Sequence, residues 1–320
     1  MTQDQVLGMF LGIAIGDALG MPLETFSKEK IDKDYGRVTT YLDPTERNWD
    51  RPAGTWTDDT QLTLATANAI IEANGNLDLE IQAQHHIDAM KEYGTDGWGG
   101  TTINSIRNLA NGMSYKDSGV QPKEGKGAGN GVLMKIAPIC LISNLTGFRR
   151  DFIYYCEMTH KSPESTICAM NHFMVIRMIK FHNTHLFGDL QCMFLHNAKT
   201  FAYNYPQKGN YDNIISRIEN FSTLDSEDDM IKKNGGGSCY CIDSFLFSYY
   251  YFLRNPYSIE TLYNVVNAGG DTDSNGSIVG GLLGLLNGSK IFPSHLLDNL
   301  QDRDKIEEVA NKFFGVLGSN

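Results

Sequence analysis

Strict alternation of apolar and polar residues is scarce in this 320-residue chain. A half-buried strand needs that alternation, so a sheet-based architecture is disfavoured and the fold class reads as all-α. Proline-rich or low-complexity linkers are absent too, as is a clear internal repeat. Nothing divides the chain, and one compact domain over residues 1–320 is expected. Basic charge is in short supply: 27 Lys and Arg stand against 38 Asp and Glu, a formal net charge of -11. That balance argues against a general nucleic-acid surface. Of six cysteines only Cys239 and Cys241 are close, a spacing that does not fit a zinc site. Buried reduced thiols and a cytoplasmic location are the expectation. No basic n-region opens the chain, and Asp4 and Asp17 interrupt the first apolar stretch, which argues against a signal peptide. The apolar run at 278–286 is too short and too glycine-rich to span a bilayer, so no membrane partner is expected.

What is present has a helical period. Val6, Leu7, Met9, Phe10, Ile13 and Ile15 predict a helix ending near Gly20. Residues 27–57 read as a loop, with Pro44, Pro52 and Gly54. Leu62 to Ile71 predict the next helix, stopped by Asn74-Gly75. Residues 81–93, 103–109, most of 152–203 and the aromatic stretch 242–253 read as helical. A Gly- and Lys-rich loop covers 112–131, and the polar, acidic interval 205–237 reads as a surface excursion.

Two acidic pairs carry the chemistry. Asp58-Asp59 follows Trp56-Thr57, and Asp271-Thr272-Asp273-Ser274 follows Gly269-Gly270; each precedes an apolar helix. One such pair is explained by the attraction of a helix N-terminus for negative charge. Two pairs converging in space would repel strongly unless two divalent cations neutralised them. Oxygen-only ligation of that kind suits Mg²⁺ or Mn²⁺ better than zinc. Beyond the second pair, Gly276, Gly280, Gly284 and Gly288 recur every four residues. Each costs about 1 kcal/mol relative to alanine inside a helix. Their repetition on one face predicts another backbone passing very close.

These motifs together resemble the ADP-ribosylglycohydrolase family, which includes dinitrogenase-reductase-activating glycohydrolases and ADP-ribosylarginine and ADP-ribosylserine hydrolases. The likeness spans almost the whole chain, in order. It runs from Gly12-Ile13-Ala14-Ile15-Gly16-Asp17-Ala18-Leu19-Gly20-Met21-Pro22-Leu23-Glu24 through Thr57-Asp58-Asp59-Thr60 to Gly129-Asn130-Gly131-Val132-Leu133-Met134-Lys135-Ile136-Ala137-Pro138. Thr159-His160 and Gly269-Gly270-Asp271-Thr272-Asp273-Ser274 complete it. The resemblance implies an all-α orthogonal fold with two Mg²⁺ or Mn²⁺ ions in a central cleft. By motif position, Thr57, Asp58, Asp59, Asp271, Asp273 and Ser274 would be the metal ligands. Asp58, Asp59, Asp273, Glu24 and Asp96 are the candidate catalytic carboxylates. Gly127, Gly129, Asn130, Gly131, Met134 and His160 would contact the substrate.

Three departures stand out. Ser274 replaces the usual threonine, Lys135 replaces the usual arginine, and Thr95-Asp96-Gly97-Trp98-Gly99-Gly100 blurs the alignment at Asp96. The implied reaction removes ADP-ribose from a modified protein side chain, arginine first among the linkages. The alternatives are another ADP-ribosyl linkage, a small ribosylated metabolite, or a silent ADP-ribose binder.

Overall fold

Thr2 starts the first helix as half of a capping box: its hydroxyl accepts from Gln5 N at 3.2 Å while Gln5 Oε1 accepts from Thr2 N at 2.8 Å. In the computed structural model, residues 1–43, 51–122, 128–143, 146–182, 184–206, 211–235 and 237–318 are described. Among them are 16 α-helices and no strand, only two isolated bridges, which bears out the all-α expectation. The first eight are α1 (Gln3–Gly20), α2 (Lys28–Asp34), α3 (Asp58–Glu72), α4 (Leu79–Tyr93), α5 (Gly100–Ala110), α6 (Ala137–Leu141), α7 (Phe148–Thr159) and α8 (Pro163–Lys180). The others are α9 (Leu190–Asn204), α10 (Asp212–Glu219), α11 (Glu227–Lys233), α12 (Cys241–Arg254), α13 (Glu260–Asn267), α14 (Thr272–Asn287), α15 (Ser294–Asp298) and α16 (Arg303–Leu317).

Backbone contacts gather into two units. The first holds residues 1–60 and 222–311, the second 61–221 and 312–320. The division falls inside α3 and α16. The first unit is organised by α1 against α14. Gly8, Gly12, Gly16 and Gly20 of α1 meet Gly284, Gly280, Gly276 and Thr272 of α14 in antiparallel register. A Cβ added at Gly12 would lie 2.0 Å from Gly280 O, and one at Gly280 2.0 Å from Gly12 O. The carbonyls therefore stand where side chains would begin, an arrangement in which Cα–H···O contacts form. The glycine stripe of α14 was legible in the sequence. Its partner stripe on α1 was hidden inside a uniformly apolar run.

The window Gln3–Leu23 is long and apolar enough by composition to cross a membrane, yet 94% of it is buried inside the protein. Phe245, Phe247, Tyr249, Tyr250 and Phe252 of α12 are buried in the same unit. Two of its tyrosine tips are satisfied: Tyr250 OH donates to Asp225 O at 2.9 Å and Tyr251 OH to Glu227 Oε1 at 2.8 Å.

In the second unit Leu62, Ala65, Ala89, Trp98, Ile106 and Met134 form one apolar cluster. Trp98 keeps its single donor paired, to Gln61 Oε1 at 2.7 Å. Helix α3 stops where the sequence says it should: Asn74 and Gly75 take positive φ of 50° and 83°.

Two expectations need correction. Residues 27–57 are not all loop, because Ser27 caps α2, Lys30 pairs with Asp34 one turn on, and Ile31 is buried. A single buried apolar residue in a short charged helix leaves no periodicity to read. Nor are all the thiols buried: Cys192 and Cys239 are exposed. The interval 205–237 carries α10 in the second unit and α11 in the first, with Ile214, Ile218 and Met230 buried.

Gly315 of α16 is a useful contrast to the stripe. A Cβ there would meet nothing within 4 Å. Gly315→Ala should stabilise the protein by about 0.5–1 kcal/mol through helix propensity and a stiffer unfolded chain. A denaturant melt with an unchanged or lowered midpoint would contradict this.

Candidate active site

The antiparallel contact has a direct consequence for the acidic residues. It sets the C-terminal end of α1, with Asp17 and the following Glu24, level with the N-terminal end of α14, with Asp271 and Asp273. Two glycines then steer the chain. Gly269 and Gly270 take φ of 84° and 83°, and a Cβ at Gly269 would sit 2.7 Å from Phe26 O. Only glycine lets segment 25–27 pair here. Thr25 N donates to Gly270 O at 2.7 Å and Gly270 N donates to Phe26 O at 2.9 Å. Thr25 itself is left-handed, φ 72°, a strained state for a β-branched residue. Asp271 N is fixed in turn by Gly237 O at 3.0 Å, and Asn275 Nδ2 donates to the same carbonyl at 2.7 Å.

Glu24, Asp271 and Asp273 each offer a carboxylate oxygen, all within 4.8 Å of one another. Like charges at that spacing repel by about 3 kcal/mol per pair at an effective dielectric near 20. Asp58 and Asp59 belong to the same charge cluster. Burial, then Asp17, Asp271 and Glu24, push the Asp58 carboxyl up to about 8. Burial, then Asp17, Asp58 and Asp271, push Asp59 well above the usual carboxylate range. Burial followed by Glu24 and Asp271 does the same to Asp273. Ser274 Oγ donates to Asp59 Oδ2 at 3.3 Å, but Asp59 Oδ1 is buried with no hydrogen-bond partner. An oxygen-only set with an orphaned buried oxygen fits divalent cations of the Mg²⁺ or Mn²⁺ class.

The residue that sequence reasoning missed is Asp17. It interrupts an apolar helix and is fully buried. It accepts from Thr57 N and Oγ1 at 2.9 and 2.7 Å, and from Thr60 N and Oγ1 at 3.1 and 2.6 Å. It thus caps α3 from another helix and aims Asp58 and Asp59. Burial pushes its carboxyl up, against hydrogen bonds that favour the charged form. The Thr57 hydroxyl spends its hydrogen on Asp17, which leaves its lone pairs open. The signal available in sequence was a lone carboxylate between two glycines of an apolar helix.

The first unit therefore brings together Glu24, Thr57, Asp58, Asp59, Asp271, Asp273 and Ser274. The other candidates belong to the second unit. Asp96 is exposed in the turn between α4 and α5. Asn130 is buried, and Met134 packs in the cluster around Trp98. Gly129 O accepts from Ser165 Oγ at 3.3 Å. Gly131 lies against His160, whose Cε1 would be 2.7 Å from an added Cβ. Gly127 lies outside the described residues.

The raised carboxyls set the pH dependence of the metal-free protein. Asp58 holds its proton when folded up to about 8, but ionises near 3.9 when unfolded. Between those values the folded state binds more protons, so stability falls as pH rises. In chelator the midpoint of unfolding should therefore climb as pH is lowered from about 8 toward the unfolded carboxylate range. A flat profile across that window would contradict a buried, metal-free cluster.

The sequence profile of the ADP-ribosylglycohydrolase family matches residues 1–320. The chain belongs to the ADP-ribosylglycohydrolase family. An uncharacterized protein of Archaeoglobus fulgidus is 28% identical over 317 residues, 98% of this chain and 96% of that one. An ADP-ribosyl-[dinitrogen reductase] glycohydrolase of Rhodospirillum rubrum is 27% identical over 306 residues, 93% and 91% of the two chains. The ADP-ribosylarginine hydrolase Tri1 of Serratia proteamaculans is 25% identical, covering 97% of this chain and 79% of that one. In structure, the chain resembles one from an ADP-ribosylglycohydrolase-related protein complex with a TM-score of 0.71. The two are 23% identical, and 98% of each chain is covered. This likeness establishes an ADP-ribosylglycohydrolase fold. The family's activity is ADP-ribosylglycohydrolysis, and the acidic cluster of the first unit is assembled from the motifs that carried the resemblance.

Proposed function

We propose that this ADP-ribosylglycohydrolase is divalent-cation-dependent and releases ADP-ribose from arginine side chains of a modified protein, by attack of water at C1″ of the distal ribose. The observation that carries the reading is the buried, mutually repelling cluster of Asp58, Asp59, Asp271 and Asp273 with Glu24. Thr57, Asp58, Asp59, Asp271, Asp273 and Ser274 would hold two Mg²⁺ or Mn²⁺ ions. When bound, the ions supply charge that orients ribose hydroxyls and lowers the pKa of water.

The protein's own groups do the rest. An aspartate of the cluster, Asp58, Asp59 or Asp273, accepts the proton that water gives up as an oxocarbenium-like state passes. Glu24, only partly buried, keeps the leaving guanidinium protonated. In the second unit the turn through Gly129, Asn130 and Gly131 offers backbone N–H groups to a diphosphate. Arginine is favoured because a guanidinium held protonated by an acidic site can depart as neutral guanidine when the C1″–N bond breaks. A serine alkoxide would need a dedicated proton donor. The likeness to an ADP-ribosylarginine hydrolase points the same way. A cytoplasmic location accords with free, mostly buried thiols.

Matched arginine-, serine- and glutamate-linked ADP-ribosyl peptides, incubated with Mg²⁺, with Mn²⁺ and with chelator, test the reading. Free ADP-ribose should appear from the arginine peptide only, and only with metal. Release from the serine peptide alone would replace the linkage. No release, with tight ADP-ribose binding, would make the protein a silent binder.

A further inference from the structure

Lys135 is fully buried in the second unit with no carboxylate beside it among the described residues. Its Nζ lies 3.0 Å from His86 Nε2 and 3.1 Å from Thr159 Oγ1, with the Tyr155 ring centroid at 5.3 Å. A hydrogen-bond argument follows the chain outward. His86 Nδ1 is 2.7 Å from Gln82 O. A carbonyl only accepts, so Nδ1 carries the hydrogen and Nε2 accepts from Lys135. An ammonium has no lone pair, so Lys135 also donates to Thr159 Oγ1. Among the described residues the Thr159 hydroxyl hydrogen then has one partner left, His160 Nδ1 at 3.1 Å.

His160 is neutral, since burial and the Lys135 charge hold its pKa down at about 3. Its one ring hydrogen must therefore sit on Nε2. That nitrogen lies beside Gly131, where an added Cβ would be 3.0 Å away. Among the described residues Nε2 makes no hydrogen bond.

We propose that Lys135 is a positioning residue: through Thr159 it fixes His160 as an Nε2–H donor for an acceptor oxygen of the ligand, of the kind a diphosphate presents. The identity of the ligand rests on the function proposed above; the relay does not. The relay needs Lys135 charged. The groups facing it are His86 of α4, Tyr155, Cys156 and Thr159 of α7, and His160. Burial keeps the tyrosine and the thiol neutral, so no anion supports the ammonium, and burial draws it down to about 7.

The test is the tautomer itself. Long-range ¹⁵N–¹H spectra of the full-length protein, taken at about pH 6 where the lysine is charged, read it directly. Wild type should show His160 wholly as Nε2–H. Thr159→Val and Lys135→Met should show both tautomers, and Thr159→Ser should restore one. Calorimetric titration with ADP-ribose should show about a tenfold loss of affinity in Thr159→Val, the worth of one hydrogen bond, and recovery in Thr159→Ser. An Nδ1–H tautomer in wild type, or the same single tautomer in all four proteins, overturns the relay. Full ADP-ribose affinity in Thr159→Val overturns the donor role. If wild type fails to bind ADP-ribose while the tautomers behave as stated, the functional reading falls and the relay stands.

Discussion

Asp271→Asn will abolish turnover, and its effect on stability will change sign with the metal. In chelator the variant should melt above wild type. Asp271 is one of the charges that destabilise ionised Asp58, Asp59 and Asp273, and the amide removes that charge at nearly constant shape. Helix α14 is not uncapped by the change, because the Asp271 side chain makes no capping hydrogen bond. With Mg²⁺ or Mn²⁺ at a hundred times the dissociation constant, wild type should gain about 2.7 kcal/mol. The variant should gain far less, so the two melting curves exchange order. Removing a group that stabilises developing charge typically costs about 10²–10³ in kcat, and loss of a cation would cost more. A variant that melts below wild type in chelator, yet gains equally from metal, would mean that the cluster is not a cation site.

Much of this was legible in the sequence, for identifiable reasons. A helical protein without alternation has few other options, and the acidic pairs at two helix starts marked α3 and α14. The glycines of α14 were readable because three of them, Gly276, Gly280 and Gly284, break a helix-forming run at a constant interval, which Gly288 continues just past the helix end. Gly8, Gly12, Gly16 and Gly20 have the same interval, but they sit among residues so uniformly apolar that a buried helix explains them without a partner. Asp17 was read as an interruption because its meaning lies 40 residues away, in Thr57. Lys135 looked like a lost arginine. Its partners, His86 and Thr159, are 49 and 24 residues distant, and no local pattern predicts such a bond. Helix α2 was missed because it buries only Ile31. In each case local pattern gave the element, while a side chain distant in sequence gave the role.

Gly12→Ala will be among the most damaging single methyls in the protein. On an exposed helix the same change gains up to about 1 kcal/mol. Here the new Cβ would lie 2.0 Å from Gly280 O and 2.8 Å from Phe292 Cζ. The ring can turn; the carbonyl belongs to a helix backbone and cannot. Helices α1 and α14 must separate, and overpacking of this kind costs about 1–3 kcal/mol, more when backbone is the obstacle. Gly280→Leu should cost more still. The loss cannot stay local. Asp17 lies near the end of α1 and Glu24 follows it, while Asp271 and Asp273 begin α14, so separating the helices pulls the carboxylates apart. Misplacement by about 1 Å can cost about a hundredfold in rate. Gly12→Ala should therefore lower the melting temperature, weaken stabilisation by Mg²⁺ or Mn²⁺, and reduce turnover, while Gly315→Ala in the same assays does none of these. If Gly12→Ala melts like wild type, the two helices do not share a backbone contact, and the arrangement of the acidic site rests on something else.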